Sequence, residues 1–223
     1  PSEANLADLA ELWESEALQI LGPEADSVEV ASGRESARIL AAGIVAGLPI
    51  RRFGRSGADR FFRSYSDTSV PTLSSLVLLF EFGGRSILFT GDARGDHILE
   101  GLEASGLLEN GSMHVDVLHV PHFGSDRSVE TDFFRRITAD NYIIAGDGTH
   151  GNPDSATLHM LTEARGDASY VIYFTHPDGR EDMRSRLDAF FSTEQGLERE
   201  YSVRFRDTSS ASLRINLIGA LNY

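Results

Sequence analysis

The first 70 residues carry apolar side chains at helical spacing in two stretches. Residues 1–21 predict an amphipathic helix that a Gly-Pro pair ends. Residues 32–47 begin with a capping-box spacing and end at a glycine, which predicts a second helix, and a short strand is predicted at 28–30. Residues 51–70 combine five arginines with glycine and serine. This stretch is typical of a solvated loop, and an anion-facing rim is the alternative.

From residue 75 onward, short apolar runs are separated by turns and by segments with helical spacing. The apolar run at 76–82 predicts a buried strand, and the Gly83-Gly84 turn with the returning run at 86–89 completes a β-hairpin. Strands and helices then alternate, which predicts a mixed sheet covered by helices. The predicted strands are 115–120, 142–145, 170–174, 202–205 and 212–218, and the predicted helices run through Ile98 to Leu107, around Phe133 to Ile137, through Leu158 and Leu161, and around 183–191.

The length of 223 residues and the composition, 41% hydrophobic and 24% charged, are those of an ordinary globular domain. We predict a single domain over 1–223, in which residues 1–70 form a helical or irregular lead-in and residues 71–223 carry the sheet and helices. No apolar stretch reaches 18 residues, which excludes a membrane-spanning segment. The chain begins at Pro1 rather than Met, so we expect a processed chain or a piece of a longer one.

Charge and cysteine content narrow the chemistry further. The formal net charge of −14 disfavours an extended nucleic-acid surface, because phosphate binding needs clustered Lys and Arg. A small anionic substrate remains compatible with this charge if a metal supplies the positive charge. The chain has no cysteine, which excludes disulfides and cysteine nucleophiles and is consistent with a cytoplasmic protein. Any metal site must therefore use His, Asp or Glu.

Polar side chains directly follow three of the predicted strands. Asp92 follows the hairpin, His122 follows the next strand, and the loop 146–154 follows the strand after that. Carboxyl ends of neighbouring parallel strands meet at one edge of a sheet, so we expect Asp92 and His122 to lie close together. A carboxylate and an imidazole suit zinc or manganese. The alternatives are backbone amides as the partner of Asp92 and an ordinary loop position for His122.

The glycine-rich loop 146–154 contributes further candidates. His150 and Asn152 are predicted to bind substrate, and His150 is also a candidate third metal ligand. The alternative for the loop is a tight turn, and Asp154 itself is predicted to cap the following helix. A serine hydrolase is disfavoured because the chain has no Gly-x-Ser-x-Gly turn, and a Walker-type nucleotide-binding loop is also absent.

Four segments occur in an order that is found in a known family: SLVLLFEFGG at 75–84, LFTGDA at 88–93, DVLHVPHFGS at 116–125 and GNPD at 151–154. Together they resemble the C-terminal half of metallo-β-lactamase-fold hydrolases, especially the branch related to the hydrolase domain of competence DNA-uptake channels. The resemblance implies an α/β (α+β) fold, an αββα sandwich that lacks its N-terminal portion here. It also implies that Asp92 bridges two metal ions and that His122 ligates one of them. The implied cofactor is one or two divalent ions, zinc first and manganese second.

The chain departs from the pattern of that family in three places. Phe123 and Asn152 each replace an expected histidine, and no His-x-His-x-Asp-His cluster occurs anywhere. A catalytic zinc needs about three protein ligands, and Asp92 and His122 provide two. His119 is not expected to add one, because it lies inside a predicted strand.

Two functional hypotheses follow. The first is a metal-dependent hydrolase that cleaves a phosphodiester or related ester through a metal-activated water. It would act on a small anionic or nucleotide-type substrate, with the missing ligands supplied by an absent N-terminal half or a partner chain. No residue is assigned as the catalytic one. The second is a catalytically degenerate module of the same fold that binds a partner or regulates it, which Phe123 and Asn152 favour.

Overall fold

A computed structural model describes residues 65–67, 69–180, 182–194 and 200–217. The two helices and the strand predicted within residues 1–50 lie outside this part of the chain, as do the five arginines of the predicted loop.

The described residues form one six-stranded sheet, in which the strands lie in the order in which they occur along the chain. The first two strands form the predicted antiparallel hairpin, and every later strand is parallel to its predecessor. The predicted α/β arrangement with a mixed sheet is therefore confirmed. The strands are β1 (Leu78–Phe82), β2 (Arg85–Phe89), β3 (Met113–His119), β4 (Ile137–Ile144), β5 (Tyr170–Phe174) and β6 (Tyr201–Phe205).

A four-residue helical turn precedes the sheet, and four longer helices connect or follow the parallel strands. None of the helices in the described residues is long and apolar enough to cross a membrane. The helices are α1 (Val70–Leu73), α2 (Gly95–Ala104), α3 (Thr131–Arg136), α4 (Ser155–Arg165) and α5 (Met183–Glu194), and 3₁₀ turns lie at Pro121–Gly124 and Thr149–Gly151.

The four longer helices cover one face of the sheet. Each connection between two parallel strands is expected to be a right-handed crossover, and each one leads to the next strand in the same direction. The helices of these connections therefore all lie on the same side of the sheet. Residues of α2, α3, α4 and α5 accordingly share a single hydrophobic core with β2 to β5. Tyr142 lies within this core, and its ring contacts Phe134 and Tyr170 at centroid distances of 6.3 and 5.5 Å. Burial raises the pKa of the Tyr142 hydroxyl to about 12.

The opposite face, here called the open face, receives no helix within the described residues. Residues 213–217 cross part of it without regular strand pairing, and with β2, β3 and β4 they enclose an apolar cavity of about 330 Å³. Toward β1 the face is uncovered: Phe82 is 69% exposed and Phe80 is 48% exposed. The register of the hairpin places Phe89 opposite Leu78, so these two side chains share that face. The uncovered residues are Leu78, Phe80, Phe82 and Phe89, with Leu76 beside them.

The sequence prediction for β1 was therefore wrong in one respect. The apolar run at 76–82 predicted a buried strand, since continuous apolar runs are typical of strands covered on both faces. In the structure β1 is an edge strand, and only its helix-side residues, such as Leu79, pack against the core.

Three element boundaries also differ from the prediction. Ile137 was predicted to end a helix, but it begins β4, because its parallel pairing with Met113 extends the β3–β4 ladder toward the N-terminus. Helix α2 ends at Ala104, three residues before the predicted end. Gly106 with φ of +68° reverses the chain there. The predicted last strand, 212–218, is not part of the sheet; its described residues lie over the open face.

Candidate functional site

The loops that follow β2, β3 and β4 meet at the carboxyl edge of the sheet. The backbone N–H of His122 donates to the carbonyl of Gly91 at 2.9 Å, which joins the first two loops. The N–H of Asp154 donates to the carbonyl of Gly124, also at 2.9 Å, which joins the second loop to the third. The residues singled out from the sequence therefore lie on contiguous loops.

The position of Asp92 depends on a close backbone approach at Gly91. Gly91 has a φ of +52°, and a Cβ there would lie 2.5 Å from Ser75 Oγ. The same hydroxyl accepts the backbone N–H of Asp92 at 2.9 Å. The Thr-Gly-Asp segment therefore satisfies a geometric requirement of this turn, whatever the carboxylate binds.

The His122 side chain is held through one ring nitrogen. Its Nδ1 lies 3.1 Å from Ser128 Oγ and 3.4 Å from Asp67 Oδ2. Contacts at Nδ1 fix the orientation of an imidazole and leave Nε2 as the atom that faces a ligand or proton partner. Ser128 is fully buried, so it supports the ring and is not an accessible nucleophile.

Asp67 is the site residue that sequence reasoning missed. Its carboxylate accepts the N–H of Ser69 at 2.9 Å and the hydroxyl of Thr72 at 3.1 Å. Partial burial opposes ionisation, but the hydrogen bonds from Ser69 and Thr72 and the nearby His122 lower the pKa of the Asp67 carboxyl below its ordinary value. Asp67 falls in the stretch predicted to be a solvated loop. The available signal was an Asp-x-Ser turn just before a proline-containing helical turn.

We expect Asp67→Asn to lower the free energy of unfolding by about 1–2 kcal/mol, because hydrogen bonds to an ionised acceptor would be replaced by weaker ones. Urea unfolding at neutral pH measures the change. Asp167→Asn, at an exposed position after α4, is the matched control and should stay within about 0.5 kcal/mol of the wild type. Equal effects of the two substitutions would contradict the role given to Asp67.

The described residues do not by themselves fit a catalytic metal. Within residues 65–67, 69–180, 182–194 and 200–217, no three His, Asp or Glu side chains come together in a group that could hold an ion. All seven histidines of the chain lie in that part, so a further ligand from this chain would have to be a carboxylate. The metal roles predicted for Asp92 and His122 therefore stay predictions.

The two candidate substrate-binding residues of the third loop, His150 and Asn152, differ in their exposure to solvent. His150 is exposed, with a φ of +61°. Asn152 is only 9% exposed, and its carbonyl closes the loop by accepting the N–H of Gly148 at 3.0 Å. Asp154 occupies the predicted N-cap position of α4, but its carboxylate accepts the N–H of Asp126 at 3.0 Å and makes no capping bond to the helix. Substrate binding by His150 and Asn152 stays a prediction.

His119 ends β3 on the open face. Its ring lines the apolar cavity beneath residues 213–217, and its Nδ1 lies 3.5 Å from Thr90 Oγ1. Burial lowers the pKa of the His119 imidazole, and the charge of Asp92 opposes this only in part. His119 is therefore neutral in the folded protein at neutral pH.

The lowered pKa of His119 makes the stability of the fold depend on pH. The unfolded chain binds a proton at this imidazole more readily than the folded chain does. The stability that the buried neutral imidazole contributes is therefore fully present above about pH 6.5, and it is lost as the pH falls and the unfolded chain becomes protonated. We expect His119→Gln to flatten the decline in the urea midpoint between pH 7.5 and 5.5. His97→Gln, at an exposed position on α2, should decline like the wild type. A His119→Gln profile parallel to the wild type would contradict this assignment.

Comparisons with known proteins show a partial similarity only. This chain is 30% identical over 119 residues to microtubule-associated protein 1A of Homo sapiens, which is 50% of this chain and 4% of that protein. It is 35% identical over 54 residues to microtubule-associated protein 1A of Rattus norvegicus and of Mus musculus, which is 24% of this chain and 2% of each of those proteins. The chain thus corresponds to a small fraction of these relatives. No family model and no solved structure matches it.

These comparisons overturn the resemblance to metallo-β-lactamase-fold hydrolases. The similarity found is to a region of microtubule-associated protein 1A, and no hydrolase is among the matches. The structure gives a physical reason why the motifs misled. Gly91 is required by the turn after β2, and the Val-Pro-His segment begins the 3₁₀ turn after β3. Both segments serve loop geometry at the end of parallel strands, so they do not specify one family.

Proposed function

We propose that this domain is a non-catalytic interaction module whose open face binds β-strand polypeptide from a partner. The observation that carries the proposal is the uncovered apolar surface of β1 and β2. Phe82 is 69% exposed and Phe80 is 48% exposed on the same side of one strand. A contiguous exposed apolar patch of this kind is typical of interaction sites.

The composition of β1 supports the same conclusion. Strands with one face in water usually alternate apolar and polar residues, whereas β1 carries apolar residues on both faces, with Glu81 as its one charge. Complete burial of a Phe or Leu side chain stabilises by about 1.5–3 kcal/mol. The sequence is therefore that of a strand covered on both sides, and the described helices cover only one.

The chain itself indicates what kind of segment binds there. Residues 213–217 lie on the open face, and the alternate residues Leu213, Ile215 and Leu217 line the cavity against the sheet. An extended segment with an apolar residue at every second position presents one apolar face. We infer that the partner supplies further strands beside this segment, so that a second sheet covers the first. Residues 1–64 are predicted to contain only one short strand, so this stretch is not expected to supply the further strands.

A peptide with the sequence of residues 211–217 is the direct probe for this proposal. Added to the full chain, it should bind saturably, with a dissociation constant of about 10–100 μM by fluorescence anisotropy. The control peptide replaces the residues at positions 213, 215 and 217 with serine and should not bind. Equal binding of both peptides, or binding of neither, would contradict the proposal.

The relatives are named for an association with microtubules, which offers a second probe. Co-sedimentation of the full chain with polymerised microtubules tests that partner. If the wild-type chain pellets with microtubules and Phe89→Ser abolishes this pelleting, the microtubule is an occupant of the open face. If Phe89→Ser leaves the pelleting unchanged and the peptide does not bind, the interaction lies elsewhere and the proposal is overturned.

Metal-dependent hydrolysis is a second candidate, which one observation favours. Asp67 and Ser128 hold His122 through Nδ1, an arrangement common around metal-binding histidines. The missing ligand would come from a carboxylate outside the described residues or from a partner chain. Metal analysis of the protein after incubation with zinc or manganese tests it. Retained metal that both Asp92→Ala and His122→Ala remove would support this candidate, and no retained metal would exclude a metal site built from this chain alone.

A further inference from the structure

The outer edge of β1 is a second surface of interest, distinct from the open face. Within the described residues no strand pairs on that side of β1, although it is antiparallel to β2 on the other. Edge strands of monomeric proteins are usually protected by proline, lysine, a bulge or an inward-pointing charge. The sequence of β1, Leu-Leu-Phe-Glu-Phe, has no proline and no lysine, and its one charge, Glu81, shares the helix-side face with Leu79 but is exposed.

We infer that two copies of this chain pair antiparallel through their β1 strands, with Phe80 opposite Phe80 across a two-fold axis. This proposal goes beyond the binding of a partner to the open face and does not depend on it. The occupant is a second copy of this chain, because the sequence of β1 complements itself in that register.

The register follows from the length of the strand and from its side chains: Phe80 is the central residue of β1, so centring there pairs all five of its residues. Residues directly opposite in an antiparallel pair lie on the same face. Centring on Phe80 places Leu78 opposite Phe82 and leaves all three apolar side chains on one continuous face. Glu81 then lies opposite Leu79. Centring on Glu81 would instead place two like charges opposite each other, which is destabilising.

Pairing at this edge would produce one continuous twelve-stranded sheet from the six strands of each copy. Residues directly opposite each other in an antiparallel pair of strands have Cα atoms about 4.5–5.5 Å apart. Phe80 would therefore contact its own symmetry mate, and the two exposed hairpin faces would become one apolar surface. Homodimers with this isologous symmetry are the commonest oligomers of soluble proteins.

Because residue 80 faces itself, charge substitutions provide a specific test. Sedimentation of the full chain over a wide concentration range should show a reversible dimer. Phe80→Lys and Phe80→Glu should each weaken dimerisation roughly a hundredfold or more, because each places like charges at the axis and removes two aromatic side chains. An equimolar mixture of the two variants should recover association as a heterodimer. Wild-type protein that stays monomeric, or a mixture that does not associate, would overturn the inference.

Cross-linking keeps the test independent of those substitutions. The chain has no cysteine, so one introduced thiol reports on one position. Under oxygen, Phe80→Cys should form a disulfide-linked dimer, because its two copies face each other. Phe82→Cys is the matched control: its copies would be offset by four residues, about 13 Å, which is too far for a disulfide. Equal cross-linking of both variants would contradict the Phe80 register.

The same experiments separate this inference from the proposed function. Phe89 lies on β2, away from the outer edge, so Phe89→Ser should leave the dimer unchanged while it weakens binding of the peptide. Loss of peptide binding with an intact dimer would therefore bear on the open face alone. A monomer that still binds the peptide would overturn the pairing of β1 and leave the proposed function standing.

Discussion

Replacing Gly148 with alanine is expected to lower the free energy of unfolding by about 3–5 kcal/mol, a large part of the stability of a typical domain. Gly148 has a φ of +91°, and a Cβ there would lie 2.3 Å from the carbonyl oxygen of Arg180 and 2.8 Å from its nitrogen. Both are backbone atoms, and the Arg180 N–H also donates to the Asp147 carbonyl at 2.5 Å. The loop after β4 therefore cannot move away without losing its attachment to the segment before α5.

Gly106→Ala is the matched control for that substitution. Gly106 also has a positive φ, +68°, but no atom lies within 4 Å of a Cβ built there. The substitution should therefore lower the free energy of unfolding by only about 1 kcal/mol, through the backbone strain of a side chain at positive φ. Urea unfolding of both variants separates strain from steric overlap. Equal losses would mean that the contact between Gly148 and Arg180 does not hold the third loop.

Phe89→Ser is expected to weaken binding of the 211–217 peptide by about threefold to tenfold. Phe89 is 43% exposed, lies opposite Leu78 in the hairpin and lines the cavity beneath residues 213–217. A strand added beside that segment would bury the rest of its ring. Complete burial of a Phe side chain is worth about 1.5–3 kcal/mol, so burying the exposed 43% of Phe89 is worth about 0.6–1.3 kcal/mol, which sets the expected change in the dissociation constant.

Phe123→Ser is the control for exposure alone. Phe123 is 42% exposed, nearly as much as Phe89, but it lies in the 3₁₀ turn after β3 and not on the sheet. Its substitution should leave the affinity for the peptide unchanged. Equal losses in the two variants would show that binding follows general surface hydrophobicity and does not use the open face.

The sequence predicted the order of strands and helices from residue 75 to the end of β6 because its signals there are local. Gly83-Gly84 specifies the hairpin turn, and the apolar runs mark the strands. Boundaries were less predictable where two elements adjoin without a loop, as at Ile137, which follows α3 directly and gains its strand conformation by pairing with Met113. That pairing is a tertiary effect that no local pattern contains.

The candidate site was predictable only in part for a similar reason. Asp92 and His122 follow strands, so their loops could be placed at one edge of the sheet from the sequence. Asp67 reaches His122 from a position 55 residues earlier, through a turn that resembles an ordinary loop in the sequence. The exposure of β1 was also unpredictable, because an apolar run does not show whether both faces of the strand are covered.

NMR titration of the full chain with the 211–217 peptide shows whether the open face binds an extended apolar segment. We expect saturable shifts of the methyl groups of Leu78, on the open face, and of Leu76 beside it, while the core methyl groups of Leu102 and Leu161 stay unchanged. Saturable binding that leaves the Leu76 and Leu78 signals in place would mean that the peptide binds elsewhere than on the open face.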